Sequence, residues 1–373
     1  MKVLICASEY YPSGSGIANV AYSVVEQLKK RGVECTVCSP IGPDITIGTV
    51  PNKGRLSLAL FWFRVSRKLR RDANKYDVVW LHNPLFISRN PFKKCVITIH
   101  TTPLGRVMRK SNSVSLNAYM LFATLFDQFC YFILEKKDAK MVAVSSSVKE
   151  ELARLGVDNV GIVRNGVDTS RFRPAADKGR LRTELGIPSD AMVFLSVGRL
   201  TSQKRPLILV DTFSKIKQHV PNACLVLVGG GELYEGIKQH ICNKGMAGVM
   251  LLGRVDQAKL PSIYASADYY IMASEYEGLP LTLLEAMSSG LPCIASDIPS
   301  LSIVRDSECG IMLDFEDANA ASESIAHYVL RDNTAHANNA RRYAVRWNDW
   351  DVIANQYLCL MEQASDGRDG AIG

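Results

Sequence analysis

Tyr269-Tyr270-Ile271-Met272-Ala273-Ser274-Glu275-Tyr276-Glu277-Gly278-Leu279-Pro280-Leu281-Thr282-Leu283-Leu284-Glu285-Ala286-Met287 reads as a strand, a loop and a helix in one line. The run Tyr269–Ala273 is apolar throughout, as a strand covered on both faces is. Gly278 and Pro280 break it, and Pro280 suits the first position of a new helix, where its missing N–H removes no hydrogen bond. Glu277 then falls in the loop. Glu285 falls more than a turn inside the helix, so both carboxylates can face one pocket above the strand end. Around Gly278, Leu279, Leu281 and Thr282 the N–H groups have no intrahelical partner and lie at the positive end of the helix dipole, which favours a phosphate.

Working outward, the same alternation of apolar strand and amphipathic helix recurs in two series. The first predicts strands at Val3–Ala7, Val33–Ser39, Val78–His82, Cys95–Ile99, Met141–Val144 and Gly161–Arg164. The second predicts them at Val193–Val197, Cys224–Val228, Val249–Leu252, Tyr269–Ala273 and Pro292–Ala295. This is the pattern of doubly wound α/β sheets, here two Rossmann-like domains facing a cleft. Turn and polar residues after Asn165-Gly166 place a linker at 169–189. The division is then a first domain at 1–168, a second at 190–345, and at 346–373 a final helix from Trp350 to about Glu362 with a frayed tail.

The 373 residues, 47% of them hydrophobic, suit two or three domains rather than one small core. The amino terminus reads directly as a buried strand rather than a signal peptide, which implies a protein kept inside the cell. Ten cysteines are spread singly through apolar runs, as small core residues in a reducing compartment are. The one close pair, Cys35 and Cys38, has no second pair to complete a metal site, and no cofactor or metal is expected. Asp349-Trp350-Asp351 is explained by helix capping.

Carboxylates beside a phosphate seat suit a ligand with both hydroxyls and phosphates, such as a nucleotide sugar. At this point the string Glu277–Met287, EGLPLTLLEAM, resembles the paired-glutamate signature of family four of the retaining glycosyltransferases. Val197-Gly198-Arg199-Leu200-Thr201-Ser202-Gln203-Lys204 resembles the family's basic loop after the first strand of its second domain. Leu225–Glu232, with Gly230, and Leu251–Val255 match in order and approximate spacing, and the likeness runs from Met1 to about Tyr357. It implies the GT-B architecture, with the last helix crossing back onto the first domain and with domain closure during turnover.

The resemblance also implies roles. Glu277 meets the donor sugar hydroxyls and Glu285 the ribose, both as ionised acceptors. Arg199, preceded by Gly198, and Lys204 face the leaving phosphate, joined by the loop Gly278–Leu281, and the backbone at Arg254 and Val255 reads the base. In the first domain, Pro12-Ser13-Gly14-Ser15-Gly16-Ile17 leads into a helix from about Asn19 and resembles the family's double-glycine loop. Gly16 holds the second position, whereas Ser15 replaces the usual first glycine. His100, at the carboxyl edge of a predicted parallel strand, is placed near the donor sugar, ahead of His82, whose setting reads as a turn. Glu9 and Tyr10 are weaker candidates for the acceptor. The implied reaction retains anomeric configuration without a metal, by front-face attack.

Charge is uneven. Residues 1–170 hold 24 Lys and Arg against 13 Asp and Glu, a net of +11, while residues 171–373 hold 20 against 24, a net of −4. In 56–71, Leu60, Phe61, Trp62 and Phe63 precede Arg64, Arg67, Lys68, Arg70 and Arg71, which suits either an anionic bilayer surface or an ordinary helix with a solvated basic end. The aromatics are not interleaved with the cations, which argues against nucleic acid. The apolar stretch 116–134 contains Asp127 and Gln128, and Asn117, Thr124, Gln128, Tyr131 and Glu135 form one polar stripe, so a surface or packing helix is expected, not a span. The reading is therefore transfer from a UDP- or GDP-sugar to a lipid-linked or saccharide acceptor, peripheral on the inner face of the membrane. The rivals are a sugar-nucleotide epimerase, a phosphorylase and a catalytically inactive nucleotide-sugar-binding subunit of a membrane assembly.

Overall fold

The computed structural model describes residues 1–12, 15–48, 54–86, 90–107, 114–135 and 139–367. The chain divides into unit 1, Met1–Gly166 with Trp350–Gly373, and unit 2, Val167–Asp349.

Unit 1 is a seven-stranded parallel sheet of β1 (Lys2–Ala7), β2 (Glu34–Ser39), β3 (Ile45–Thr46), β4 (Val78–His82), β5 (Cys95–Ile99), β6 (Ala139–Ala143) and β7 (Val160–Ile162). Their order is β3-β2-β1-β4-β5-β6-β7, so the winding reverses beside β1. The helices are α1 (Gly16–Lys30), α2 (Gly54–Leu69), α3 (Leu104–Val107), α4 (Val114–Glu135) and α5 (Ser146–Arg154). Right-handed crossovers put α1 on one face of the sheet and α2, α4 and α5 on the other, because the step that carries α1, from β1 to β2, runs opposite to the steps that carry the other three. Hydrogen bonds tie the deepest layer together. Trp80 Nε1 donates to Thr98 Oγ1 at 2.9 Å, and the same oxygen lies 3.0 Å from the Tyr357 hydroxyl of the final helix, which packs against α1 and β4 to β6.

Unit 2 carries α6 (Lys178–Leu185), β8 (Met192–Val197), α7 (Pro206–His219), β9 (Ala223–Val228), α8 (Tyr234–Asn243), β10 (Val249–Gly253) and α9 (Leu260–Ser266). It continues with β11 (Tyr269–Met272), α10 (Leu281–Ser288), β12 (Cys293–Ser296), α11 (Ile303–Asp306), β13 (Gly310–Leu313), α12 (Ala318–Val329) and α13 (Thr334–Trp347), before α14 (Trp350–Asp366) returns to unit 1. The six parallel strands run β10-β9-β8-β11-β12-β13, with the reversal between β8 and β11. Phe194, Phe213, Ile271 and Ile325 lie in its fully enclosed core.

Several expectations need correction. The stretch 169–189, read as a linker, contains α6, which Asp177 caps at one end and Gly186, at φ +69°, closes at the other. Arg182 ties α6 to the sheet through Asp268 Oδ2 at 2.5 Å, so this stretch is part of unit 2. Helix α1 begins at Gly16 rather than Asn19, because Ser15 caps it: Ser15 Oγ accepts from Ile17 N–H at 3.3 Å. Pro280 is the residue before α10 rather than its first. In α4 the polar stripe turns inward at Thr124 and Tyr131, with Asp127 buried beside them and Gln128 exposed, while Leu121, Phe122, Leu125 and Phe129 face solvent. Among the described residues, no helix is long and apolar enough to cross a membrane. The end of the tail, 368–373, lies outside the described residues.

Candidate active site

Open parallel sheets bind ligands beyond the strand ends where the winding reverses. In unit 2 that point lies between β8 and β11, and the loops after both strands carry charged side chains. Past β8 the chain passes Gly198 and Arg199 into a short 3-10 turn, Ser202–Lys204; past β11 it reaches Glu277. Lys204 Nζ donates to Glu277 Oε1 in an ion pair whose side chains are 21% and 7% exposed. Backbone stitches the two loops beside it: Glu275 N–H donates to Gln203 O at 2.9 Å, and Gln203 Nε2 donates to Tyr276 O at 2.7 Å. An ammonium has three N–H donors, so one held by Glu277 leaves two for a ligand. Arg199 is exposed, and with Lys204 it lines a small pocket that also includes Gly198, Pro206 and Ser274.

Glycines bring the neighbouring loops against this backbone. Gly229 has φ +137°, and a Cβ there would lie 1.8 Å from the Gly198 carbonyl oxygen. At Gly231 a Cβ would lie 2.4 Å from Leu200 O, and at Gly230 it would meet Arg254 Cγ and Nε at 2.9 Å each. The loops are joined by Gly198 N–H to Val228 O at 2.9 Å, Leu200 N–H to Gly230 O at 3.0 Å and Gly229 N–H to Gly253 O at 2.7 Å. Gly198, Arg199, Gly230 and Arg254 therefore belong to one rigid patch, with Val255 next along the chain.

On the other side, Gly278, Leu279 and Pro280 are buried and lead into α10, whose first amides, from Leu281 and Thr282, have no intrahelical acceptor by helix geometry. Glu285 sits one turn further on. Tyr264 O–H donates to Glu285 Oε2 at 2.7 Å, and Tyr270 O–H donates to Thr282 Oγ1 at 2.9 Å. Part of the Glu285 residue stays accessible, but protein packs tightly around its carboxyl. Burial, the largest cause, pushes the carboxyl up to about 7, and the Tyr264 hydrogen bond and the Arg171 charge pull it back only in part. The expected fully ionised acceptor is thus, without ligand, a carboxyl close to half protonated at neutral pH. Sequence reasoning missed Tyr264, Tyr270 and the role of Gln203, because tyrosines in apolar runs read as core.

Two family profiles match the chain, one described as Glycosyltransferase Family 4 at residues 14–171 and one as Glycosyl transferases group 1 at residues 177–347. The chain belongs to this glycosyltransferase family. Among its relatives is the UDP-Gal:alpha-D-GlcNAc-diphosphoundecaprenol alpha-1,3-galactosyltransferase of Escherichia coli, 29% identical over 346 residues and covering 86% of each chain. Another is the phosphatidyl-myo-inositol mannosyltransferase of Mycobacterium tuberculosis, 26% identical over 382 residues and covering 96% of each. In fold it matches sucrose-phosphate synthase from Thermosynechococcus elongatus with a TM-score of 0.79 at 20% identity, over 98% of this chain and 100% of that one. The glycosyltransferase thus has the two Rossmann-like parallel-sheet domains of the GT-B fold.

In unit 1 of the glycosyltransferase, the strand ends are built differently. His82, the last residue of β4 rather than part of a turn, is fully buried, and its Nδ1 lies 3.0 Å from His100 Nε2. Burial drives both imidazoles down, His100 to about 3 and His82, which also faces His100, well below its ordinary value. The pair is neutral at pH 7. Asn83 Oδ1 fixes the turn by accepting from His100 N–H at 2.7 Å. Glu9 Oε2 accepts from Ser15 N–H at 2.6 Å, so it braces the loop ahead of Gly16. Tyr10 is buried with its ring edge-on to Tyr22 at 6.0 Å. Ser13-Gly14 lies outside the described residues. Asp349 Oδ2 accepts from the Thr169 hydroxyl, and Asp351 pairs with Arg31. Among the described residues, no three His, Cys, Asp or Glu side chains converge as a metal site would require.

Proposed function

We propose that this glycosyltransferase moves a sugar from a UDP- or GDP-sugar to a lipid-linked or saccharide acceptor, with retention and with neither a metal nor a cofactor. The observation that carries this reading is the Lys204–Glu277 pair at the β8/β11 reversal, flanked by Arg199 and by the first turn of α10. Breaking the bond from the anomeric carbon to the diphosphate builds oxocarbenium character on the sugar and negative charge on the leaving oxygen. Lys204, Arg199 and the amides of α10 supply positive charge there. Glu277 holds Lys204 with Oε1 and offers Oε2 to a donor hydroxyl. Glu285, already hydrogen-bonded by Tyr264, takes the ribose, and the Gly230–Arg254 patch lies where the base is read. The acceptor oxygen bonds to the anomeric carbon from the face the diphosphate leaves, and its proton passes to the departing phosphate oxygen. The lipid-linked option draws on the E. coli and M. tuberculosis relatives.

The test is release of nucleoside diphosphate from a panel of UDP-, GDP- and ADP-sugars, with and without a lipid extract, in the presence of EDTA. Turnover of one donor, raised by the extract and lost in Lys204→Ala and Glu277→Gln, supports the reading. Binding of a donor without turnover in the presence of extract favours an inactive subunit.

A further inference from the structure

Helix α4 is amphipathic in the wrong sense for a water-exposed helix. Its polar residues Thr124, Asp127 and Tyr131 are buried and only Gln128, among those whose side chains are described, is exposed, whereas Leu121, Phe122, Leu125 and Phe129 are 54, 54, 57 and 53% exposed. At 3.6 residues per turn those four share a sector of roughly 100°. Phe122 and Phe126 stack at 6.1 Å along this side. Helix α2 lies on the same side of the sheet, by the handedness of its crossover. Its outward side carries Leu56, Leu60 and Phe63, at 69, 56 and 40% exposure, while Trp62 and Val65 fill the core. Arg64, Arg67 and Lys68, also exposed, follow directly, then Arg70 and Arg71. Among the described residues none of these cations has a recorded ion pair, and the Lys68 ammonium donates only to Thr46 O, at 3.0 Å.

We propose that the outward sides of α2 and α4 form one docking face for an anionic phospholipid bilayer. In this arrangement α4 lies in the plane of the interface with its Leu and Phe side chains at the acyl boundary. The basic end of α2 meets the headgroups. Exposed aromatic and aliphatic side chains on one helix, with a cationic cluster on another helix of the same side, are the two signals that stable interfacial binding needs together. The cationic cluster also selects this occupant over a second copy, since a two-fold contact through this face would set like charges against each other. Buried Asp127 keeps α4 on the surface rather than across the bilayer.

This deepens the proposed function by naming the surface on which the acceptor is met. Vesicle binding is read without donor or acceptor, so failure of docking and failure of transfer are distinguishable. The full chain is floated with phosphatidylcholine vesicles, with and without phosphatidylglycerol, at low and high salt. The wild type is expected to float with the anionic vesicles and to lose binding at high salt. Phe122→Ser/Phe129→Ser and Arg64→Ser/Arg67→Ser should each lower partitioning at least about tenfold. All four positions are exposed, so circular dichroism and melting temperature should stay unchanged. As a second readout, Phe122→Trp should shift its emission to the blue on anionic vesicles. A wild type that stays at the bottom at low salt overturns the proposal. So do double variants that float like the wild type, and so does a dimer in solution that Phe122→Ser/Phe129→Ser returns to monomer.

Discussion

The two units share one strand order over six strands and finish it with opposite chemistry. At the reversal of unit 2, β8 and β11 deliver an ion pair, an exposed Arg199 and a partly protonated Glu285. At the strand ends of unit 1, β4 and β5 deliver two buried neutral imidazoles, and β1 leads to a glycine behind a capping serine. One fold therefore supplies two sites of different kind. The groups of unit 2 are charged, and those of unit 1 are neutral.

The sharpest way to break this comparison is to remove the charge. Lys204→Ala should lower kcat for the turned-over donor about 10²–10³-fold, as loss of a preorganised transition-state donor does. His100→Ala removes a neutral partner and should lower kcat about fivefold to tenfold. Steady-state diphosphate release measures both. Equal losses in the two variants would mean that the units do not divide the work by charge.

A backbone substitution tests the rigidity of unit 2. Gly229→Ala forces a Cβ into the Gly198 carbonyl at a backbone angle that alanine avoids. It should destabilise unit 2 by about 3 kcal/mol or more and move its urea midpoint, while unit 1 unfolds as before. A single unchanged midpoint would show that the Gly198–Gly230 patch is compliant.

Much of this was legible in the sequence, for identifiable reasons. Strands such as Tyr269–Met272 and Val78–His82 are buried on both faces, so their apolar runs stand out. The break after Tyr269–Met272 follows from the backbone chemistry of Gly278 and Pro280, although Pro280 precedes α10 rather than opening it. The short strands β3 and β13 escaped, since Ile45–Thr46 has two residues and Gly310–Leu313 begins with a glycine. Helix α6 escaped because its residues are polar and it is held by Arg182 rather than by an apolar stripe. The Tyr264 support of Glu285 spans 21 positions and has no local signal. The direction of the α4 stripe was also illegible, since periodicity gives the faces of a helix but not which one meets the protein.

Titration sharpens the contrast, because the two units should respond to pH with opposite sign. Glu285 has a folded pKa raised from 4.5 to about 7, so the native state holds the proton more tightly than the unfolded chain. Stability from this group falls as pH rises from about 4.5 to 7, by about 2–3 kcal/mol, and Glu285→Gln should abolish that fall. His82 and His100 have folded pKa values depressed below 6.5, so the unfolded chain takes up the protons first. Their contribution is full above pH 6.5 and is lost as pH falls from there toward 3. Melting temperatures between pH 5 and 8, compared among wild type, Glu285→Gln and His100→Asn, should separate the two slopes. Parallel profiles for all three proteins would refute both assignments.

The smallest effect addresses the one departure from the family pattern in unit 1. Ser15 stands where a glycine is usual, and its side chain caps α1 through Ile17 N–H while its own N–H is held by Glu9. If the serine is there as a cap, Ser15→Ala should destabilise unit 1 by about 1 kcal/mol and Ser15→Gly by only a few tenths. Neither should change KM for the donor, because the capping hydroxyl points into the helix end and Gly16 still opens it. If instead the missing glycine limits how closely backbone approaches a phosphate, Ser15→Gly should lower that KM while leaving stability nearly unchanged. Thermal melts and donor titrations on the same two variants decide between these.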